Sequence, residues 1–176
     1  MPLNQLESVE TNLRRLGKRM PDMPVEESLI LRAAMILGRD ATALLDRLLK
    51  PVGLAEGEFR LLMSLLAHGG STSAGDLCAA LAQSPANLTR IADALVERGY
   101  VSRDPDLADR RRMLLALLPE GERLLREMLP GVCREVTEIF AGFSGTDKVQ
   151  MLQFFKRLLT GIDSLGVRDS TGDDAA

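Results

Sequence analysis

From Glu26 to about Lys50, apolar residues recur at Ile30, Ala33, Leu37, Ala41, Leu44 and Leu48, in steps of three and four. That spacing predicts one continuous stripe along a long helix, and Pro51 and Gly53 end it. "EGEFRLLMSLLAHGG" predicts a second helix, stopped by Gly69 and Gly70. Ser73, with Asp76 three residues on, reads as a capping box opening a short third helix. In "SPANLTRIADALVERGY", Ser84 is placed to cap and Pro85 to take the first helical position, with Gly99 as the stop. Leu88, Ile91, Ala92 and Leu95 then face inward, leaving Ala86, Asn87, Thr89, Arg90 and Asp93 outside near the start. After Gly99 the period changes. "YVSRD" and "RRMLLALL" predict two short strands around a loop rich in Asp and Pro, hence a hairpin.

Pro119 opens another long helix, with Leu125, Met128, Val132, Val136, Ile139 and Phe143 on one side and a kink expected at Pro130. Gly142 to Gly145 predict a break, and Val149, Leu152, Phe155, Leu159 and Ile162 mark the stripe of a last helix. At the other end, residues 1–25 predict an arm holding a short helix, with Arg14, Arg15, Lys18 and Arg19 clustered before the breakers Pro21 and Pro24. That cluster fits a solvated helix face or an arm meeting a DNA backbone or a dimer partner. Residues 166–176, with Asp169, Asp173 and Asp174 among small polar residues, are expected to be a disordered acidic tail.

Composition sharpens the fold class. Of 176 residues, 45% are apolar but only 3% aromatic, with no Trp. A core built from Leu, Ala, Val, Ile and Met favours helices, so the expected class is mainly α with a small β-hairpin. No apolar run approaches the ~18 residues of a membrane span, and "MPLNQLESVE" has no signal-peptide character. No membrane association is expected, and the location expected is cytoplasmic. Cys78 and Cys133 are too few for a disulfide framework and read as buried free thiols. With a single His, no ligand-spaced cluster, no phosphate loop and no nucleophile motif, no metal, cofactor or catalysis is expected.

Charge raises the sharpest question. Net charge is −3, yet Arg103 to Arg112 holds four arginines and three aspartates in ten residues. Taken alone, that run also fits a salt-bridged surface hairpin using Asp104, Asp106 and Asp109. Its position changes the reading. Two capped helices joined at Gln83–Ser84, the second running into the hairpin, make a winged helix-turn-helix. The major groove admits a helix and displays distinct base edges, which points to Ser84, Ala86, Asn87, Thr89 and Arg90 as DNA-binding. An arginine at a hairpin tip suits the negative potential of a narrow minor groove, which adds Arg110 and Arg111. Arg103 joins the DNA-binding set as a structural or phosphate-facing residue rather than a base reader.

The pattern Leu88-Thr89-Arg90, Asp93, Leu95, Gly99, Val101, Arg103, Asp109-Arg110-Arg111, Leu118 and Gly121 resembles the core of the MarR family of bacterial transcriptional regulators. "LTRIADALVERGYVSR" and "EGERLLREMLP" are most similar to its EmrR/MprA-type multidrug efflux repressors. The resemblance implies a MarR-type domain over residues 26–165, with dimerisation helices at 26–53 and 119–165 around a winged helix-turn-helix at 54–118. It further implies a homodimer on a pseudo-palindromic DNA operator, released by a small hydrophobic or phenolic effector, with Arg111 entering the minor groove and Asp109 bracing the wing. Pro119 and Ala55 stand where the family commonly has capping threonines.

An effector site is expected at Arg32, Met35, Arg39, Met63 and His68, although core packing also accounts for the methionines and helix termination for His68. A regulator that ignores ligands, or senses oxidants, is the alternative. Redox-sensing thiols in the family sit early in the chain, and no Cys precedes position 78 here.

Overall fold

A computed structural model of the chain describes residues 2–106 and 112–166. The chain divides into two compact units, Met1–Arg60 and Leu61–Ala176.

In the first unit, helix α1 (Pro2–Gly17) folds back against the long helix α2 (Val25–Leu49), which ends in a 3-10 turn over Lys50–Val52. The partly covered positions of α1 include Leu6, Val9, Leu13 and Gly17, the three-and-four spacing of one helical face, with Glu10 beside them. A Cβ on Gly17 would lie 2.4 Å from Val25 Cγ2, so a larger residue there would force the Val25 side chain to shift. Two polar links tie the pair. Arg14 donates to Glu26 at 2.8 Å, and Arg39 donates to Gln5 at 2.8 Å. The basic cluster thus begins on a helix packed against its neighbour. Along α2, Ile30 and Leu37 of the expected stripe are 52% and 56% exposed, while the fully buried residue, Leu49, lies off it.

Helix α3 (Glu56–Ala67) starts where Ala55 offers no capping oxygen; Glu58 reaches back instead and accepts from the Ala55 N–H at 2.8 Å. Past residue 60 the second unit continues with β1 (Ser71–Ser73), α4 (Ala74–Leu81), α5 (Pro85–Glu97), β2 (Val101–Pro105), β3 (Met113–Leu117), α6 (Pro119–Ile139) and α7 (Gly145–Ser164). The hairpin is there, paired from Val101↔Leu117 to Pro105↔Met113. A third strand, β1, joins its other side, giving the antiparallel order β1-β3-β2. No pattern in "STS" announces a strand; β3 supplies the ladder partners.

Leu62, Leu65, Leu77, Leu95, Leu115 and Leu125 are all at most 1% exposed and form the centre of this unit. Each contributes about 1.5–3 kcal/mol by leaving water. The inward face expected for α5 is the observed one, with Leu88, Ile91, Ala92 and Leu95 buried. Gly121 lets α6 start against the α5–β2 turn. A Cβ there would lie 2.5 Å from the Tyr100 carbonyl oxygen, which accepts from the Leu118 N–H at 2.9 Å.

Toward its end the second unit stops covering its apolar residues. Helix α6 runs through Pro130 as one element, and beyond it Val136 and Ile139 are exposed. Cys133 is exposed and Cys78 half-buried, which corrects the expectation of two buried thiols: this part of α6 has little of its own chain over it. The break before α7 is itself ordered by a capping box between Ser144 and Asp147. The Ser144 hydroxyl and then its backbone N–H hold the Asp147 carboxyl below its ordinary value.

Candidate nucleic-acid interface

The candidate interface is assembled by two turns. At the first, Ala82 closes α4 in the left-handed conformation (φ 50°), and the Gln83 N–H bonds back to the Cys78 carbonyl at 3.0 Å. At the second, the Ser84 hydroxyl accepts from the Asn87 N–H at 3.3 Å, and Pro85 takes the first helical position of α5. Together they direct the start of α5 outward while its other face is buried. Ser84, Ala86, Thr89 and Arg90 are exposed, and Asn87 is half-buried.

Polar side chains on this surface are linked rather than independent. Arg90 Nη2 donates to Asn87 Oδ1 at 3.0 Å, and Asn87 Nδ2 donates to Gln83 Oε1. Arg103 on β2 pairs with Asp93 on α5 at 2.9 Å, tying the wing to the helix, so its guanidinium has a structural partner as well as an outward position. Arg112, at the start of the returning strand, reaches Asp76 on α4 at 3.5 Å. The Asp76 carboxyl also accepts from the Ser73 hydroxyl at 2.6 Å, and Ser73 in turn caps α4 through the Asp76 N–H at 3.1 Å. Of the capping box expected from sequence, the Ser73 half is present, while the Asp76 carboxylate bonds the Ser73 hydroxyl. The Ser73 hydrogen bond holds Asp76 below its ordinary value of 3.8; it outweighs the opposing effect of burial, with Arg112, Thr72 and His68 adding less.

Asp109, Arg110 and Arg111 lie outside the described residues; the Asp106 N–H donates to the Arg112 carbonyl at 2.9 Å. A small cavity of about 130 Å³ lies beside α5, lined in part by Ala74, Thr89, Arg103 and Met113.

A model of the MarR family matches residues 52–112. The transcriptional repressor MprA of Escherichia coli is 32% identical over 158 residues, which span 89% of this chain and 90% of the relative. The chain belongs to the MarR family. Solved structures agree on the fold. A mutant MarR from Escherichia coli complexed with operator DNA matches with a TM-score of 0.70 at 22% identity, covering 78% of this chain and 99% of that one. BpsR of Bordetella bronchiseptica matches with a TM-score of 0.63 at 25% identity, covering 73% and 89%; its structure concerns regulation of its DNA binding by 6-hydroxynicotinic acid. In MarR-family terms, α3 to β3 form the winged helix-turn-helix, with α5 as the helix that follows the turn.

The effector candidates divide between the two units. Arg32, Met35 and Arg39 are exposed at three-and-four spacing on one side of α2, where Arg39 also bonds Asp40 at 3.0 Å. In the second unit Met63 is half-buried on α3, and His68 follows α3 with Nδ1 2.7 Å from the Ser64 carbonyl. Sequence reasoning missed Gln83 and Asp76 as parts of this surface, and placed Arg112 in the wing without its Asp76 partner. Gln83 lies in the turn before α5, so helical spacing gave no signal for its link to Asn87, and the Asp76–Arg112 pair spans 36 residues and left none either. Among the described residues, no three His, Cys, Asp or Glu side chains gather as a metal site, and no helix is long and apolar enough to cross a membrane.

Proposed function

We propose that this protein is a cytoplasmic homodimeric repressor that binds a pseudo-palindromic operator and leaves it when a small hydrophobic or phenolic compound binds. The observation that carries this reading is the exposed polar start of α5, set on a buried helix-turn-helix core beside a hairpin that carries Arg103 and Arg112. Arg90 and its neighbours enter the major groove, Arg110 and Arg111 the minor groove, and Asp109 braces the wing. Phosphate contacts supply much of the affinity, so binding weakens steeply with salt.

Dimerisation is supported by apolar side chains that a single chain leaves bare: Ile30, Leu31 and Met35 on α2, and Val149, Leu152 and Phe154 on α7. Two copies present two α5 helices to half-sites about one DNA turn apart. An effector that binds at Arg32, Met35 and Arg39 in the first unit, or at Met63 and His68 in the second, favours a spacing that no longer fits successive grooves. A coupling of about 1–3 kcal/mol is the usual scale. The effect of 6-hydroxynicotinic acid in BpsR and the resemblance to MprA support a hydroxylated or hydrophobic ligand and multidrug efflux genes as targets.

Fluorescence anisotropy on the duplex upstream of its own gene tests the reading, with and without salicylate-like acids and hydrophobic uncouplers. Tight, salt-sensitive binding reversed by a compound is expected. Binding that no compound touches leaves a regulator without this effector class; no sequence-selective binding overturns the proposal.

A further inference from the structure

Three polar side chains at the start of α5 form a directional chain. Arginine has only donors, so the bond from Arg90 Nη2 at 3.0 Å fixes which end of the Asn87 amide faces it: Oδ1 accepts. The amide nitrogen is thereby turned toward Gln83, whose Oε1 accepts from it. Gln83 is held by its own backbone, through the N–H bonded to the Cys78 carbonyl at 3.0 Å behind the left-handed Ala82. Asn87 is further pinned by its N–H on Ser84 Oγ. Each link starts from an anchored one, and the last, Arg90, is exposed at the outer face.

This arrangement separates roles that the sequence leaves merged. An asparagine reads adenine by accepting from the 6-amino group with Oδ1 while donating to N7 with Nδ2. Each polar atom of Asn87 already has a protein partner, so the amide's orientation is set within the protein and only one lone pair and one amide hydrogen are left. Arg90 uses one hydrogen of Nη2 on Asn87, and a parallel pair of N–H groups is left, the geometry that meets the O6 and N7 acceptors of guanine. We propose that Arg90 reads a guanine in each half-site, that Asn87 orients it instead of reading adenine, and that Gln83, in the turn before the helix, is a positioning residue that sets this base preference. Holding the guanidinium in advance removes side-chain freedom that binding otherwise has to remove. The inference rests on the proposed DNA-reading role of α5 and adds which base is read and which residue outside the helix controls it.

Selection of bound duplexes from a randomised pool, run on the full chain and its variants at one salt concentration, tests it. The parent is expected to select one guanine per half-site. Arg90→Ala should lower that preference by about ten-fold or more. Gln83→Ala should flatten preference at the same base by about three-fold, leaving other positions and the salt slope unchanged, because it touches no phosphate. Gln83→Glu keeps an acceptor for Asn87 and should restore the preference. Gln83→Ala added to Arg90→Ala should change nothing more at that base, since the two act in one chain. Thermal melts of each variant separate lost reading from lost folding. An unchanged guanine preference in a folded Gln83→Ala variant overturns the role of Gln83. Loss of an adenine preference at a second position in Asn87→Ala overturns its role as a relay. If the parent binds DNA without selecting any sequence, the DNA-reading proposal itself fails and this inference with it.

Discussion

The helix-turn-helix lobe and the α6–α7 segment are both rich in leucine, and their leucines end in opposite environments. In the lobe, Leu65, Leu77 and Leu95 are all 0% exposed; on α7, Leu152, Leu158 and Leu159 are 56%, 38% and 46% exposed. Helices α4 and α5 cross strands β2 and β3 within some forty residues, so the lobe closes its own core from local chain. Helix α7 carries apolar residues on several sides at once, more than its own chain covers. One region folds to be used; the other is unfinished until a second surface meets it, which is the physical content of the dimer proposal.

The strongest way to break this contrast is Leu152→Asp. A charge on a face that a second copy must cover is expected to raise the dimer dissociation constant about a hundred-fold or more. Operator affinity should fall with it, since two half-sites are then no longer held together. Sedimentation across a concentration series measures the first effect; a monomeric parent at micromolar concentration would sink the contrast outright. Leu95→Ala is the counterpart in the lobe. It should cost about 2–5 kcal/mol in urea unfolding while leaving the native protein dimeric.

Gly121→Ala probes the point where α6 meets the lobe. The added Cβ would fall 2.5 Å from the Tyr100 carbonyl oxygen, and backbone cannot move aside cheaply. A loss of about 1–3 kcal/mol is expected; a variant as stable as the parent would show that α6 does not begin where it is placed. The smallest effect concerns pH. Because the folded state holds the Asp76 carboxyl below its ordinary 3.8, that group stabilises the fold above the unfolded value. The contribution fades as pH falls through the folded value. Melting temperatures of the parent and Asp76→Asn should therefore differ most near neutrality and converge below about pH 4. A gap that persists into acid would mean that the Ser73 and Arg112 contacts do not depend on the charge.

Legibility from sequence followed the range of each interaction. Ser84, Pro85, Leu88, Ile91, Ala92 and Leu95 announce α5 because caps and helical spacing act within a few residues, and the structure places all six as expected. The hairpin was readable for the same reason. Strand β1 was not, since Ser71, Thr72 and Ser73 carry no alternation and become a strand only when β3 offers its edge. The Ser144–Asp147 box had the right spacing and was read only as a break, because two glycines beside it gave the louder signal.

The site divides along the same line. Residue types at the start of α5, the wing arginines and the family pattern are properties of the sequence, and they determined the helix boundaries, the buried face of α5 and the MarR-family membership. Which of those polar groups are linked is different in kind. The pairing of Arg103 with Asp93, of Arg112 with Asp76, and the Gln83–Asn87–Arg90 chain depend on rotamers and on elements brought together from separate parts of the chain. Sequence order carries apolar stripes but not their covering: the same apolar spacing buries Leu125 on α6 and leaves Ile139 on that helix 51% exposed. Only the tertiary structure decided that, because burial belongs to the surface a residue meets and not to the residue itself.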